Sequence, residues 1–179
     1  SHCSEQVGWD ALEVSTAPIV SSHSSSAAVC YHDRGKSDAL AKAVADRGGY
    51  FGVVIIPGFI QESTEATLHD FARHVEHLVD VCGIDHVGIG SDKTGPGPGT
   101  DSLIRYPPEM PLRRPEDFNW SGFRQVEHRL TPDYHIVGYN DFGDWPELAA
   151  ALAAHGFNEE ELRKLLGLNF LRVFREVCG

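Results

Sequence analysis

The chain of 179 residues lacks a positive balance: 15 Lys and Arg stand against 26 Asp and Glu, for a formal net charge of −11. That argues against nucleic acid or an anionic membrane as an electrostatic partner. It lacks long hydrophobic runs, and none approaches the ~20 apolar residues that a membrane-spanning helix needs. It lacks paired cysteines. Cys3, Cys30, Cys82 and Cys178 show no CxxC spacing, which excludes a zinc ribbon or a thioredoxin-like motif, and four scattered thiols need no disulfides. Internal repeats and low-complexity tracts are missing too. Gly88-Ile89-Gly90 looks like part of a dinucleotide fingerprint, but no third glycine precedes a helix. An initial Met and a signal peptide are also lacking, so the chain is expected to have lost its natural beginning, and a cytoplasmic location is the working expectation.

What is present is an ordinary soluble composition, 41% hydrophobic and 23% charged, in a chain long enough for one domain with a real core. Short apolar runs alternate with amphipathic ones. Residues 5–15 read as a helix capped by Ser4, and residues 18–22 as a buried strand. Ser37-Asp38 opens a helix from Ala39 to Asp46 that stops at Gly48-Gly49. Tyr50 to Ile56 is a strong buried strand broken by Pro57-Gly58. Ser63 or Thr64 is expected to cap a helix from Glu65 to Cys82 that ends at Gly83, and His86 to Gly90 is the next strand. Residues 93–143, with Gly95-Pro96-Gly97-Pro98-Gly99 and Tyr106-Pro107-Pro108, form a long irregular excursion of the kind that serves as a lid or binding loop. Asp144-Trp145-Pro146-Glu147 then starts a helix that stops at Gly156. Asn158 with Glu161 makes a capping-box start for a helix carrying Leu162, Leu165 and Leu166, and Asn169 to Val177 is the last helix. Alternating strand and helix implies parallel strands joined by right-handed crossovers. Three full strands, plus one ending at His2, would make half of an eight-stranded α/β barrel, which leaves strand edges open.

The chemistry-bearing residues sit beside those strands. His2, His23 and Asp92 each follow a strand-like run, and barrel strands splay their C-terminal ends around one mouth. Two imidazoles and a carboxylate are ordinary ligands for zinc and similar divalent ions. Each has a plainer alternative. His23 lies among Ser21, Ser22, Ser24, Ser25 and Ser26 and reads equally as a polar strand-end residue, and Asp92 as the cap of the turn before Lys93-Thr94-Gly95. His74 and His77 imitate a metal pair at i and i+3, but their mid-helix position marks them as hydrogen-bonded structural histidines. Trp9, Trp120 and Trp145 read as packing anchors, with Trp120 also placed to line a pocket.

Several stretches together carry a family resemblance: Ser1-His2-Cys3-Ser4; Ala17-Pro18-Ile19-Val20-Ser21-Ser22-His23-Ser24-Ser25; Arg34 eleven residues on; His74-Val75-Glu76-His77; His86 to Asp92; and Asn169-Phe170-Leu171-Arg172-Val173-Phe174. The chain resembles the C-terminal half of the membrane (renal) dipeptidase family of the metal-dependent amidohydrolase superfamily. The resemblance implies an α/β fold, a TIM-type (β/α)8 barrel of which residues 1–179 supply roughly strands 5–8 and their helices. It implies zinc-dependent hydrolysis of dipeptides by a metal-activated water, with two zinc ions in the intact protein. His2 and His23 would be the histidine pair on one zinc, Asp92 the catalytic aspartate beside the other, and Arg34 the grip on the substrate's terminal carboxylate. The family reads Arg-Asn where this chain has Arg34-Gly35, and Phe-Asp-Gly where it has Lys93-Thr94-Gly95. The family's His-x-Asp pair, its metal-bridging glutamate and a further substrate-contacting histidine lie upstream of Ser1. The expected partners are therefore a small dipeptide and the missing N-terminal barrel half, with a homodimer as a further expectation. The rival readings are another amidohydrolase-type hydrolase, such as a lactonase or deaminase, and a non-catalytic barrel subunit.

Overall fold

The computed structural model describes residues 1–63, 65–92, 129 and 135–179. Among these, three strands, β1 (Val20–Ser24), β2 (Tyr50–Val53) and β3 (Val87–Ile89), form one parallel sheet in the order β1-β2-β3. Val20 pairs with Tyr50, and Phe51 with Val87. Helices α1 (Glu5–Val14), α2 (Asp38–Asp46), α3 (Pro57–Ile60) and α4 (Leu68–Cys82) precede β3 in the chain, and α5 (Trp145–Ala154), α6 (Glu159–Arg163) and α7 (Asn169–Cys178) follow it. No described helix is long and apolar enough to cross a membrane.

Local chemistry sets most helix starts. Ser4 accepts the Val7 N–H at the head of α1, and Ser37 accepts the Leu40 N–H at the head of α2. The Ser37 hydroxyl also donates to Glu5, tying the two helix starts together. Asn158 and Glu161 form the expected capping box on α6, and Gly83 ends α4 with a φ of 83° that suits glycine.

The boundaries depart from the sequence reading where a distant partner decides them. β1 spans Val20–Ser24 rather than 18–22 because its ladder begins opposite Tyr50, and Pro18 has no N–H to contribute. His23 therefore lies within β1, not beyond it. The β2 ladder stops at Val53, although Val54 and Ile55 stay fully buried and Val54 N–H reaches the Ser24 carbonyl. Pro57 opens the short helix α3 instead of only breaking the strand, since proline is suited to a first helical turn. α4 begins at Leu68, not 65, because Thr67 and Asp70 cap each other reciprocally while Leu68 N–H is bonded to the Val137 carbonyl. Thr64, one of the expected caps, lies outside the described residues. Residues 1–4 carry no strand, and three strands are present among the described residues. Most of the expected excursion, including Lys93-Thr94-Gly95 and Trp120, also lies outside them. Its last residues turn regular earlier than expected, as a 3₁₀ turn over Phe142–Asp144.

The core lies between the sheet and α4, α5 and α7. Phe51, Val53, Phe71, Val75, Leu78, Leu148, Leu152 and Val173 are all buried there. Each such side chain contributes about 1.5–3 kcal/mol of burial. Trp145 packs against this core as expected, whereas Trp9 stays 38% exposed beside α2. The C-terminal Asn169-to-Phe174 stretch acts as a clamp on the sheet. Asn169 Nδ2 donates to the carbonyls of Ile84 and Val87 at 2.6 and 2.7 Å, and Arg172 donates to those of Gly48, Gly49 and Asp85.

Candidate metal centre

β1 and the segment after β3 approach each other across Gly52 of β2, and glycine allows the approach. A Cβ on Gly90 would overlap the Ser22 carbonyl and come within 2.9 Å of the His23 Cα. The Gly88-Ile89-Gly90 pattern therefore reflects close backbone packing. The N-terminal residues are drawn to the same place. Ser1 Oγ accepts the His23 N–H at 2.9 Å and lies 3.1 Å from Ser22 Oγ. This anchor sets His2 edge-on to His23, with ring centroids 4.9 Å apart. Asp92 follows two residues after Gly90 with a φ of 56°, in the left-handed region that costs a non-glycine residue about 1 kcal/mol or more.

The three sequence-expected ligands converge. Their donor atoms all lie within 4.8 Å of one another. His2 Nε2 is 2.9 Å from His23 Nε2, and His23 Nε2 is 3.6 Å from Asp92 Oδ1. Facing ring nitrogens at that distance need a proton or a cation between them. Two nitrogens bound to a tetrahedral ion at ~2.05 Å stand about 3.3 Å apart, so sub-ångström opening suffices. Ser22 Oγ occupies His23 Nδ1 at 2.9 Å, which leaves Nε2 as the outward nitrogen. Burial lowers the pKa of His2, helped by the nearby Arg34 charge and opposed by Asp92. Burial also lowers His23, again against Asp92. Both imidazoles thus favour the neutral form that metal ligation requires. The donor set, two imidazoles and one carboxylate with partial solvent access (side chains 19% exposed at His23 and 31% at Asp92), fits a zinc-like ion.

Arg34 stands next to this group. Its guanidinium carbon lies 5.3 Å from the Phe59 ring centre, and its buried Nε and Nη2 have no hydrogen-bond partner. Burial lowers its pKa and the Asp92 charge raises it, but a guanidinium stays cationic. The loop that carries it is tight: Ser24 Oγ donates to the Arg34 carbonyl at 2.6 Å, and Arg34 N–H to His32 Nδ1. A Cβ at Gly35 would meet the His32 carbonyl and Ala27 backbone at 3.1–3.2 Å, so an asparagine there would need the loop to shift by a few tenths of an ångström.

The sequence reading missed the supporting residues Ser1, Ser22 and Lys36. Lys36 is buried with its ammonium on the Cys3 carbonyl at 2.7 Å, and burial lowers its pKa. A lysine in a polar stretch gives no sign of such burial, and the serines around His23 read only as marks of a polar strand end. His74 and His77 are structural, as expected. His74 accepts the Ser26 N–H and donates to the Ile60 carbonyl, and His77 faces Asp38 at 2.8 Å.

A family model described as membrane dipeptidase (peptidase family M19) matches residues 1–105 and 130–178. The dipeptidase tcpJ of Claviceps purpurea is 30% identical over 178 residues, covering 99% of this chain and 33% of that protein. An amidohydrolase from Pseudomonas aeruginosa superposes with a TM-score of 0.74 at 27% identity, over 94% of this chain and 48% of its own. A metallopeptidase from Rhodobacter sphaeroides, solved with a phosphinate mimic of the dipeptide L-Ala-D-Ala, superposes with a TM-score of 0.73 at 26% identity, over 98% of this chain and 41% of its own. The chain thus spans a third to a half of the length of these relatives.

Proposed function

The chain belongs to the membrane dipeptidase family, peptidase family M19, and from that premise we propose that it is part of a zinc-dependent dipeptidase, with β1–β3 as neighbouring strands of a (β/α)8 barrel. The observation that carries this reading is the convergence of His2, His23 and Asp92 donor atoms within 4.8 Å, beside the uncommitted N–H groups of Arg34.

In this reading His2 and His23 would hold a zinc, and Ser22 fixes the His23 tautomer. Asp92 borders the same space. The ligands for a second ion, a His-x-Asp pair and a glutamate, are to come from outside this chain. When bound, a zinc-like ion supplies Lewis acidity, polarising the scissile carbonyl and making water nucleophilic at neutral pH. Asp92 takes the proton of the attacking water and passes it to the leaving amine as the C–N bond breaks. Arg34 receives the substrate's terminal carboxylate through its fork of N–H donors, which positions a short peptide and selects for a free end. Phe59 holds the guanidinium plane from one side.

The test is a metal and turnover assay on the intact protein. Chelation should abolish, and zinc restore, cleavage of a panel of L-L and L-D dipeptides. Bound metal without dipeptide turnover would favour a different hydrolase, such as a lactonase or deaminase. A protein that takes up no zinc would favour the non-catalytic reading.

A further inference from the structure

A second imidazole pair bridges α4 and the end of α5 and shares no residue with the candidate centre. His69 Nδ1 lies 2.7 Å from His155 Nε2, with ring planes inclined by 39°. Glu76, two turns along α4 from His69, places its carboxylate 3.4 Å from the other nitrogen of His155. The geometry points to a site for a nitrogen-preferring divalent transition ion, formed by His69 Nδ1 and His155 Nε2 and oriented by Glu76, that takes Cu2+ or Ni2+ ahead of Zn2+.

Ligand type sets the ion class. Two nitrogens ~2.0 Å from one ion stand about 2.8 Å apart at a right angle and about 3.3 Å apart in a tetrahedron. The observed 2.7 Å is the hydrogen bond of the metal-free pair and would open slightly for either arrangement; Cu2+ and Ni2+ come ahead of Zn2+ by the affinity order of divalent ions at imidazole nitrogen. Glu76 accepts from His155 Nδ1–H, which fixes the tautomer with its lone pair on Nε2; in the metal-free pair that lone pair accepts His69 Nδ1–H, and an ion would take the place of this proton. The local field favours a cation as well. His155 caps the C-terminus of the ten-residue helix α5, the negative end of its dipole, and the chain carries a net charge of −11. His69 is exposed and His155 half-buried, so solvent can fill the remaining coordination positions.

The simpler role of the pair is a hydrogen-bonded clamp between the helices, and one experiment separates the two. The untagged, zinc-loaded protein is titrated with Ni2+ by calorimetry, with Tm followed in parallel. The expected result is one further equivalent per chain that raises Tm. His69→Gln and His155→Gln should each lose that equivalent, Glu76→Gln should weaken it roughly tenfold, and all three should keep zinc-supported turnover. On the unmutated zinc-loaded protein, Cu2+ electron paramagnetic resonance should show coupling to two imidazole nitrogens, so the site stays testable if a variant fails to fold. No uptake of Ni2+ beyond the zinc content, or uptake that survives both histidine substitutions, would reduce the pair to a clamp and overturn the site.

Discussion

Replacing His74 with phenylalanine should destabilise the protein by several kcal/mol without emptying the space the ring fills. His74 is fully buried and spans two backbone groups: it accepts the Ser26 N–H at 3.1 Å and donates to the Ile60 carbonyl at 3.0 Å. Phenylalanine keeps the ring but leaves both groups buried and unpaired, at about 1–3 kcal/mol each. The expected loss is therefore about 2–6 kcal/mol, a large fraction of a typical domain's stability. The histidine also sets a pH dependence. Burial pushes its pKa from the usual 6.5 down to about 4. Below 6.5 the unfolded chain takes up a proton that the folded protein refuses, so stability falls as pH drops from about 6.5 to about 4 and this contribution is flat on either side. The whole drop amounts to about 3 kcal/mol. Urea denaturation at pH 7 and pH 4.5 reads both effects. His74→Phe should lower the midpoint at pH 7 with an unchanged slope, and should remove this part of the acid sensitivity. A loss under about 1 kcal/mol, or an acid sensitivity the same as in the parent protein, would refute the bridging role. Because Ser26 lies just beyond β1, which carries His23, the same substitution should also weaken metal retention.

Other substitutions test the site and its frame. Asp92→Asn should leave metal content largely intact while turnover falls by about 10²–10⁴-fold, as loss of a proton carrier implies; unchanged kcat would remove Asp92 from the mechanism. Asp92→Gly should abolish turnover equally yet raise stability by about 1 kcal/mol, since glycine relieves the left-handed backbone, and a lowered Tm would contradict the strain. Arg34→Lys should raise KM more than it lowers kcat in steady-state assays, because it removes the forked grip on a carboxylate that persists through the reaction.

Legibility from sequence followed locality. Ser4, Ser37, Asn158 and Gly83 act within one helical turn, and each was readable from its neighbours. The start of β1 depends on Tyr50, thirty residues away, and was misread by two positions. The start of α4 was misread because Ser63, Thr64 and Thr67 compete as caps, and the Val137 contact that settles the choice is distant in sequence. His2, His23 and Asp92 were legible through residue type and placement near strand ends, although His23 proved to lie inside its strand. What brings them together, the Ser1 hydroxyl anchor, the Gly90 approach and the φ of Asp92, is three-dimensional geometry that no residue pattern announces.

The central claim is that His2 and His23 together hold a metal that the chemistry needs. Zinc content and dipeptide turnover of His23→Ala, measured beside the parent protein, test it most directly. The account predicts the loss of at least one zinc per chain together with turnover. Full zinc content and undiminished cleavage in His23→Ala would contradict it.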